Sequence, residues 1–441
     1  MESFVDLAKA IPRSNPNFHL RSENFMQLLK KLLKTILPRS IIKWLSDKKE
    51  KTLHYTWRLV WFTREKTLPH RFTNDPFLTS EIHVIHPAKL IYRTLDEFKY
   101  LKDHNKIIGG DWDIPLSRFE EDLFYQSFEL RIKKNITWTE TQYYNHHLSQ
   151  IMNGEEMWGC RSRAEWDQRC QLLDDIYADI KENGYQSQKI EDYISANIGR
   201  DGNLLFNDGR HRLTFCKLLG TQEISIRITV RHAKWVMFKN QIYDYAKSRE
   251  SRNGKIYAPI THLDLQSVPS LYGHKRFELI RQNMTPPFRG TVLDIGAHWG
   301  YFSHKFEELG FDCLAVENDP ENLYFLNKLR KAENRNFSVF DNSIFLLNTK
   351  NMKYDIVLAL TIFHHFTKEE KTYNQLTHFL RSLDMKELYF EPPDPEEPQM
   401  QSAFRNYSCE EFVHFIVQNS CLAHYKLIGS AEDGRKLYKL W

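Results

Sequence analysis

Residues 290–319 read GTVLDIGAHWGYFSHKFEELGFDCLAVEND, and in that stretch Asp294, Gly296, Gly300 and Glu317 have the types and spacing to hold a nucleoside. An apolar run of strand type over 291–295 ends in two glycines. Their missing side chains let the chain turn tightly and let a ligand approach the backbone near Ala297. The glycines lead into a helix, and a second strand over 312–316 ends in Glu317 and Asn318, where a β-α-β nucleoside site keeps an acid for ribose hydroxyls. An ionised carboxylate only accepts hydrogen bonds, so at that position it selects for free hydroxyls. A nicotinamide-type G-x-G-x-x-G turn is absent, because His298 occupies the place of its second glycine. The bland alternative is a glycine loop that only packs helix on strand.

Two further strings could do chemistry. The strand over 354–360 runs into LALTIFHHF, which places Leu360, His364 and His365 at the carboxyl end of a strand, the side on which open parallel sheets bind ligands. A histidine of near-neutral pKa can take a proton from a hydroxyl. His365 is the preferred base, and one of the pair is expected to be structural. Glu391, in FEPPDPEEP after the next strand, is placed to line an acceptor pocket. Earlier in the chain, Asp208, Gly209, Arg210, His211 and Arg212 form DGRHR between a strand and a helix. Gly209 frees backbone N–H groups at a helix start, and the basic residues add donors where an anion would sit. Asp208 could hold a metal or accept a hydroxyl proton. The competing reading is a turn whose arginines pair with surface acids. In GGDWD, Asp111 and Asp113 are either metal or substrate ligands or, more commonly, a solvated acid pair on a glycine turn.

The DIGAHWG string with Glu317 resembles the class I S-adenosylmethionine-dependent methyltransferases, whose first motif is an acid, a Gly-x-x-x-Gly loop and a helix, followed by an acid ending the second strand. The resemblance implies S-adenosylmethionine as cofactor, with Asp294, Gly296, Ala297, Gly300, Glu317, Asn318 and Leu360 around it and Asp341 meeting the adenine amino group. It also implies a Rossmann-like sheet of seven strands closing in a hairpin after Asp433 and Gly434. LALTIFHHF resembles a string in small-molecule and glycan methyltransferases, some of them bifunctional kinase-methyltransferases. No (D/N)PP(Y/F) follows the fourth strand, which departs from the nucleic-acid amino-methyltransferases. Residues 81–239 resemble the ParB/sulfiredoxin superfamily, most specifically in the last third. That implies an α+β domain in which 208–212 cradle nucleotide phosphates, with ATP or CTP and Mg2+ as candidate ligands.

The elements that must position these residues divide the chain into four parts. They are a basic helical segment over 1–80, a ParB/sulfiredoxin-like domain over 81–245 with a helical insertion about 115–182, a polar linker over 246–256, and an α/β methyltransferase domain over 257–441. Within the first, Phe25, Leu28, Leu29, Leu32, Leu33, Ile36 and Leu37 share one helical face opposite Lys30, Lys31 and Lys34. Such a helix can lie on an anionic membrane or dock on its own protein, the latter slightly favoured. The chain has 441 residues, 41% apolar, 27% charged and 14% aromatic, with a net charge of +4, too small to argue for nucleic acid. Six cysteines without a CxxC pair read as reduced thiols of a cytoplasmic protein, not a zinc site. No apolar run reaches membrane-spanning length, and no signal peptide opens the chain.

The expected function is O-methylation of a small molecule or glycan, with an N-terminal nucleotide- or phosphate-binding domain that acts as a kinase on the same acceptor. The alternative is a nucleotide-switched nucleic-acid-binding module fused to a DNA, RNA or protein methyltransferase.

Overall fold

The computed structural model describes residues 82–93, 106–114, 117–186, 193–248, 252–350 and 352–441. The expected amphipathic helix over 25–37 lies outside them.

Seven strands make a first, mixed sheet: β1 (Ile82–Ile85), β2 (Tyr92–Arg93), β3 (Lys106–Ile108), β4 (Ser117–Arg118), β5 (Ile194–Ile198), β6 (Leu204–Asp208) and β7 (Ile224–His232). Their order is β1-β7-β5-β6-β2-β4, with β3 also on β7. Every residue of β5 is buried, as befits a strand flanked on both edges and covered on both faces. The stretch 82–92, whose run of Ile, Val and Tyr reads as one extended edge in the sequence, is broken in the middle. His86 Nδ1 accepts the N–H of Ala88 at 3.1 Å and caps a 3-10 turn, Pro87–Lys89. Proline has no N–H to give a ladder, so the chain leaves the sheet there. Consequently β1 pairs with β7, whereas β2 pairs with β6.

Between β4 and β5 lie, among the described residues, three helices, α1 (Leu123–Lys134), α2 (Gln142–Met152) and α3 (Arg163–Asn183). Asp122 caps α1 by accepting from Phe124 N at 3.0 Å, and Ser162 with Glu165 forms a capping box on α3. Much of the aromatic excess goes inward here, since Phe124, Phe128, Tyr143 and Trp166 are fully enclosed in one core. Two more helices, α4 (Arg210–Leu218) and α5 (Ala233–Ser248), complete this half.

The second half opens with α6 (Lys275–Asn283) and carries β8 (Thr291–Ile295), β9 (Asp312–Val316), β10 (Ser338–Phe340), β11 (Lys353–Leu360), β12 (Asp384–Glu391), β13 (Tyr425–Ser430) and β14 (Lys436–Leu440). They form a second sheet in the order β10-β9-β8-β11-β12-β14-β13. The first five are parallel, and β14 runs antiparallel to both of its neighbours, β12 and β13. This is the Rossmann-like arrangement with a closing hairpin. The helices α7 (Tyr301–Glu308), α8 (Pro320–Ala332), α9 (Phe363–Phe366), α10 (Glu370–Ser382) and α11 (Cys409–Gln418) connect and cover it. The register of the parallel strands decides where their ends fall. Ile295 pairs with Val316 and Asp294 with Leu358, so β8, β9 and β11 end on one rim.

On one side of residues 249–251 the polar stretch begins within α5, which extends to Ser248, and on the other Ile256 is fully buried, its N–H bonded to Pro269 O at 2.9 Å. Beyond it the buried Asp264 accepts from Arg231 Nε and Trp235 Nε1, both at 2.9 Å, with Lys239 Nζ at 3.8 Å. These contacts tie the connecting segment to β7 and α5. All six cysteines are unpaired, four of them buried. No described helix is long and apolar enough to cross a membrane.

Candidate active site at the carboxyl ends of the parallel strands

A cavity of about 420 Å³ opens at the shared rim of β8, β9 and β11. Three strand ends supply its floor. Gly296 follows β8 with φ of +71°, and a Cβ there would lie 2.9 Å from Ile362 Cδ1, so the loop needs glycine for both its turn and its closeness. Gly300 (φ +81°) starts α7, where a Cβ would meet Phe337, His304 and Leu326 at ordinary contact distances of 3.4–3.5 Å, so its positive φ is what favours glycine. Between them His298 takes a left-handed conformation at φ +53°, uncommon for a residue with a side chain.

Glu317 is what holds that loop. Its Oε2 accepts from His298 N at 2.8 Å, and its Oε1 accepts from Asn318 N at 3.0 Å and Asp319 N at 2.9 Å. Three of about four lone-pair positions are thereby used, leaving room for a hydroxyl on the cavity side. Burial raises the Glu317 pKa against the lowering effect of those N–H groups.

Of the sequence-predicted site residues, Gly296, Glu317, Asn318, Leu360 and His365 line the cavity. The others are placed differently. Asp294 is buried beneath the loop, its Oδ2 accepting from Ser303 Oγ of α7 at 2.8 Å, and burial pushes its pKa up to about 6. It fastens strand to helix and does not line the cavity. Ala297 is buried, with its N–H on Val316 O at 2.9 Å, and Gly300 serves the helix start. Asp341 is exposed beside Tyr324 and Lys328 on a different surface. Its neighbours Asn342 and Ser343 reach the cavity instead, because the chain turns outward as it leaves β10.

The two histidines separate clearly. His365 is exposed to the cavity, its pKa lowered by burial and then by Lys368. His364 is buried, and enclosure together with His365, Lys368 and Arg435 pushes its pKa down to about 3. It is the structural member of the pair. Glu391 is fully buried and paired with Arg276 Nη1 at 3.1 Å, while the Arg276 guanidinium lies 3.8 Å from the Tyr272 ring centre. It is spent on Arg276 and is not among the residues that line the cavity.

Several lining residues were invisible in the sequence. Arg252 and Tyr257 come from the segment between the sheets, and the Tyr257 hydroxyl bonds Thr361 Oγ1 just beyond β11. Nothing local marked them, since their position depends on how that segment folds back over the second sheet. His298 alone carried a signal, by standing where a dinucleotide turn has glycine.

In the first sheet, DGRHR does form a strand-turn-helix, with Gly209 at φ +94° before α4. Asp208 Oδ1 accepts from Gly209 N at 2.7 Å. Arg210 Nε is 3.5 Å from Asp122 Oδ2, which also takes Arg93 Nη1 at 2.9 Å. His211 adds no positive charge: it stands edge-on to Phe124, ring centres 4.5 Å apart, and burial pushes its pKa down to about 3. In GGDWD, Asp113 is buried and spent on Arg200, which donates from Nη2 at 2.6 Å, with Asp111 on the same Nη2 at 2.9 Å. That pair is structural. Among the described residues no group of His, Cys, Asp and Glu is arranged to hold a metal ion.

Residues 292–383 match the family described as "Methyltransferase domain". No curated protein matches the sequence. Solved structures similar to the chain include monomeric WbdD (20% identity, TM-score 0.35, 45% of this chain and 48% of that one). Another WbdD structure, described as a bifunctional kinase-methyltransferase, matches at 17% identity and TM-score 0.34, over 44% of this chain and 45% of that one. The magnesium protoporphyrin IX methyltransferase ChlM from Synechocystis PCC 6803, with bound SAM, matches at 15% identity and TM-score 0.29, over 38% of this chain and 76% of that one. The chain spans about half the length of the WbdD structures it matches. Residues 292–383 of the second sheet thus match a methyltransferase domain, and that sheet has a Rossmann-like strand order.

Proposed function

We propose that the second domain transfers a methyl group from S-adenosylmethionine to a hydroxyl of a small molecule or glycan. One observation carries this: Glu317, held by three backbone N–H groups, stands at the end of β9 on a cavity whose neighbouring strand end is a side-chain-free Gly296. The residues present fit the donor. Glu317 would take the ribose, Asn342 and Ser343 the base side, and the 296–298 loop the space where a Cβ would intrude. When bound, the donor supplies an electrophilic methyl on a sulfonium. The chain supplies alignment and a route for the acceptor proton. His365 is the group to take that proton, because it faces the cavity and its lowered pKa keeps it neutral at pH 7.

For the first domain, the finer proposal is a ParB/sulfiredoxin-like site that binds a nucleotide or phosphate, ATP or CTP with Mg2+, and phosphorylates the same acceptor. What supports it is Arg210 at the opening of α4, with Tyr143 Oη, His211 Nε2 and Arg169 Nε buried without hydrogen-bond partners among the described residues. Arg169 and Arg210 both bear electrostatically on Tyr143 and on His211, which places these groups in one neighbourhood.

Transfer of labelled methyl from S-adenosylmethionine to a panel of sugars, oligosaccharides and small alcohols tests the function. Label should appear on a hydroxyl oxygen, and His365→Ala should slow transfer roughly a hundredfold or more. Label entering only nucleic acid or protein, or a His365→Ala enzyme at full rate, would contradict the proposal.

A further inference from the structure

Among the described residues, Arg252 is the one cationic side chain other than histidine on the cavity lining, and it comes from neither the first sheet nor the second. Its Nη1 is buried and meets no hydrogen-bond partner among the described residues. Burying a guanidinium nitrogen without an acceptor is costly, so a ligand atom that accepts there would remove a standing penalty. The obvious internal partner is already committed. Glu317, the lining carboxylate, is taken up by the N–H groups of residues 298, 318 and 319.

The position is also fixed. The Arg252 guanidinium lies 5.5 Å from the ring centre of Tyr257, within cation-π range. Tyr257 is pinned in turn by Thr361 Oγ1 and packs at 5.4 Å on the His298 ring. Thr361 follows β11 and Glu317 follows β9, with β8 between them. The two anchor points are therefore separated by about two strand spacings, roughly 10 Å. That separation suits a ligand with a sugar at one end and an anionic group on a short arm at the other.

We infer that Arg252 receives the carboxylate of the methyl donor's amino-acid arm, so that the segment between the sheets closes the donor site. The inference rests on the proposed donor binding and adds to it. Donor affinity then depends on a stretch that continues directly from α5 of the first domain.

Titration calorimetry with S-adenosylmethionine and its decarboxylated form, on the full chain, separates the outcomes. The wild type should bind the carboxylate-bearing donor more tightly than the decarboxylated one. Arg252→Gln should weaken the former roughly ten- to a hundredfold and leave the latter unchanged. Arg252→Lys should recover part of the loss, since it keeps the charge but not the fork. Equal weakening of both ligands, or no change in either, would overturn the role of Arg252. Failure of the wild type to bind either ligand would instead sink the donor assignment itself. Thermal melting of each variant checks that the fold is intact.

Discussion

His211 and His364 show how burial changes what a residue type means. Both looked like chemistry in the sequence, yet each sits enclosed with its pKa pushed down to about 3, and neither can carry a proton near neutrality. An unfolded histidine titrates near 6.5, so between about 6.5 and 3 the unfolded chain binds a proton that the folded chain refuses. The stability these residues contribute is therefore present above pH 6.5 and lost as pH falls toward 3. His211→Phe keeps an aromatic ring against Phe124 and removes one such proton. Denaturant melts from pH 6.5 to 4.5 should show the variant's stability falling less steeply, by about 1.4 kcal/mol per pH unit. Parallel slopes for the variant and wild type would mean that His211 is not held neutral. Glu317 and Gly296 were legible because their roles depend on neighbours a few residues away. Asp341 lies on another surface, since a chain leaving a strand can turn its next side chain either way, and Asn342 and Ser343 line the cavity.

Among the elements, β8 and β9 match the runs expected over 291–295 and 312–316, because buried parallel strands are short, apolar and bounded by loop residues. Short edge strands were not legible. β3 and β4 have three and two residues, too few for any periodicity to show. Turns that face another element were equally silent. Gly202, in the tight turn between β5 and β6, has φ of +93°, and a Cβ there would lie 2.6 Å from Ala332 Cβ of α8 and 2.8 Å from Trp235 Cη2. The residues Arg200, Asp201, Gly202 and Asn203 read as a turn, but nothing in them marks contact with a helix much later in the chain. Gly202→Ala should cost about 1–3 kcal/mol from overpacking. Its positive φ adds strain of roughly 1–2 kcal/mol. Urea unfolding would show this as a lower midpoint, and an unchanged midpoint would mean the contact is slack.

At the scale of the whole molecule, the class of the second domain was readable and its partner residues were not. The strands and helices alternate legibly along the chain, and their arrangement as a seven-stranded sheet closing in a hairpin was what the resemblance implied, whereas the cavity wall contributed by Arg252 and Tyr257 depends on a segment that composition marks only as polar. That segment is fastened by buried Ile256 and by Asp264 among Arg231, Trp235 and Lys239, so its course over the second sheet is set from the first. The two sheets are thus joined through one stretch of chain. The central claim is that the donor occupies the cavity with its ribose on Glu317. Titration of the full chain with S-adenosylhomocysteine, beside Glu317→Ala, tests this most directly. A one-to-one complex in the wild type that weakens at least tenfold in the variant is the predicted result; no heat from the wild type, or equal affinity in the two proteins, would contradict it.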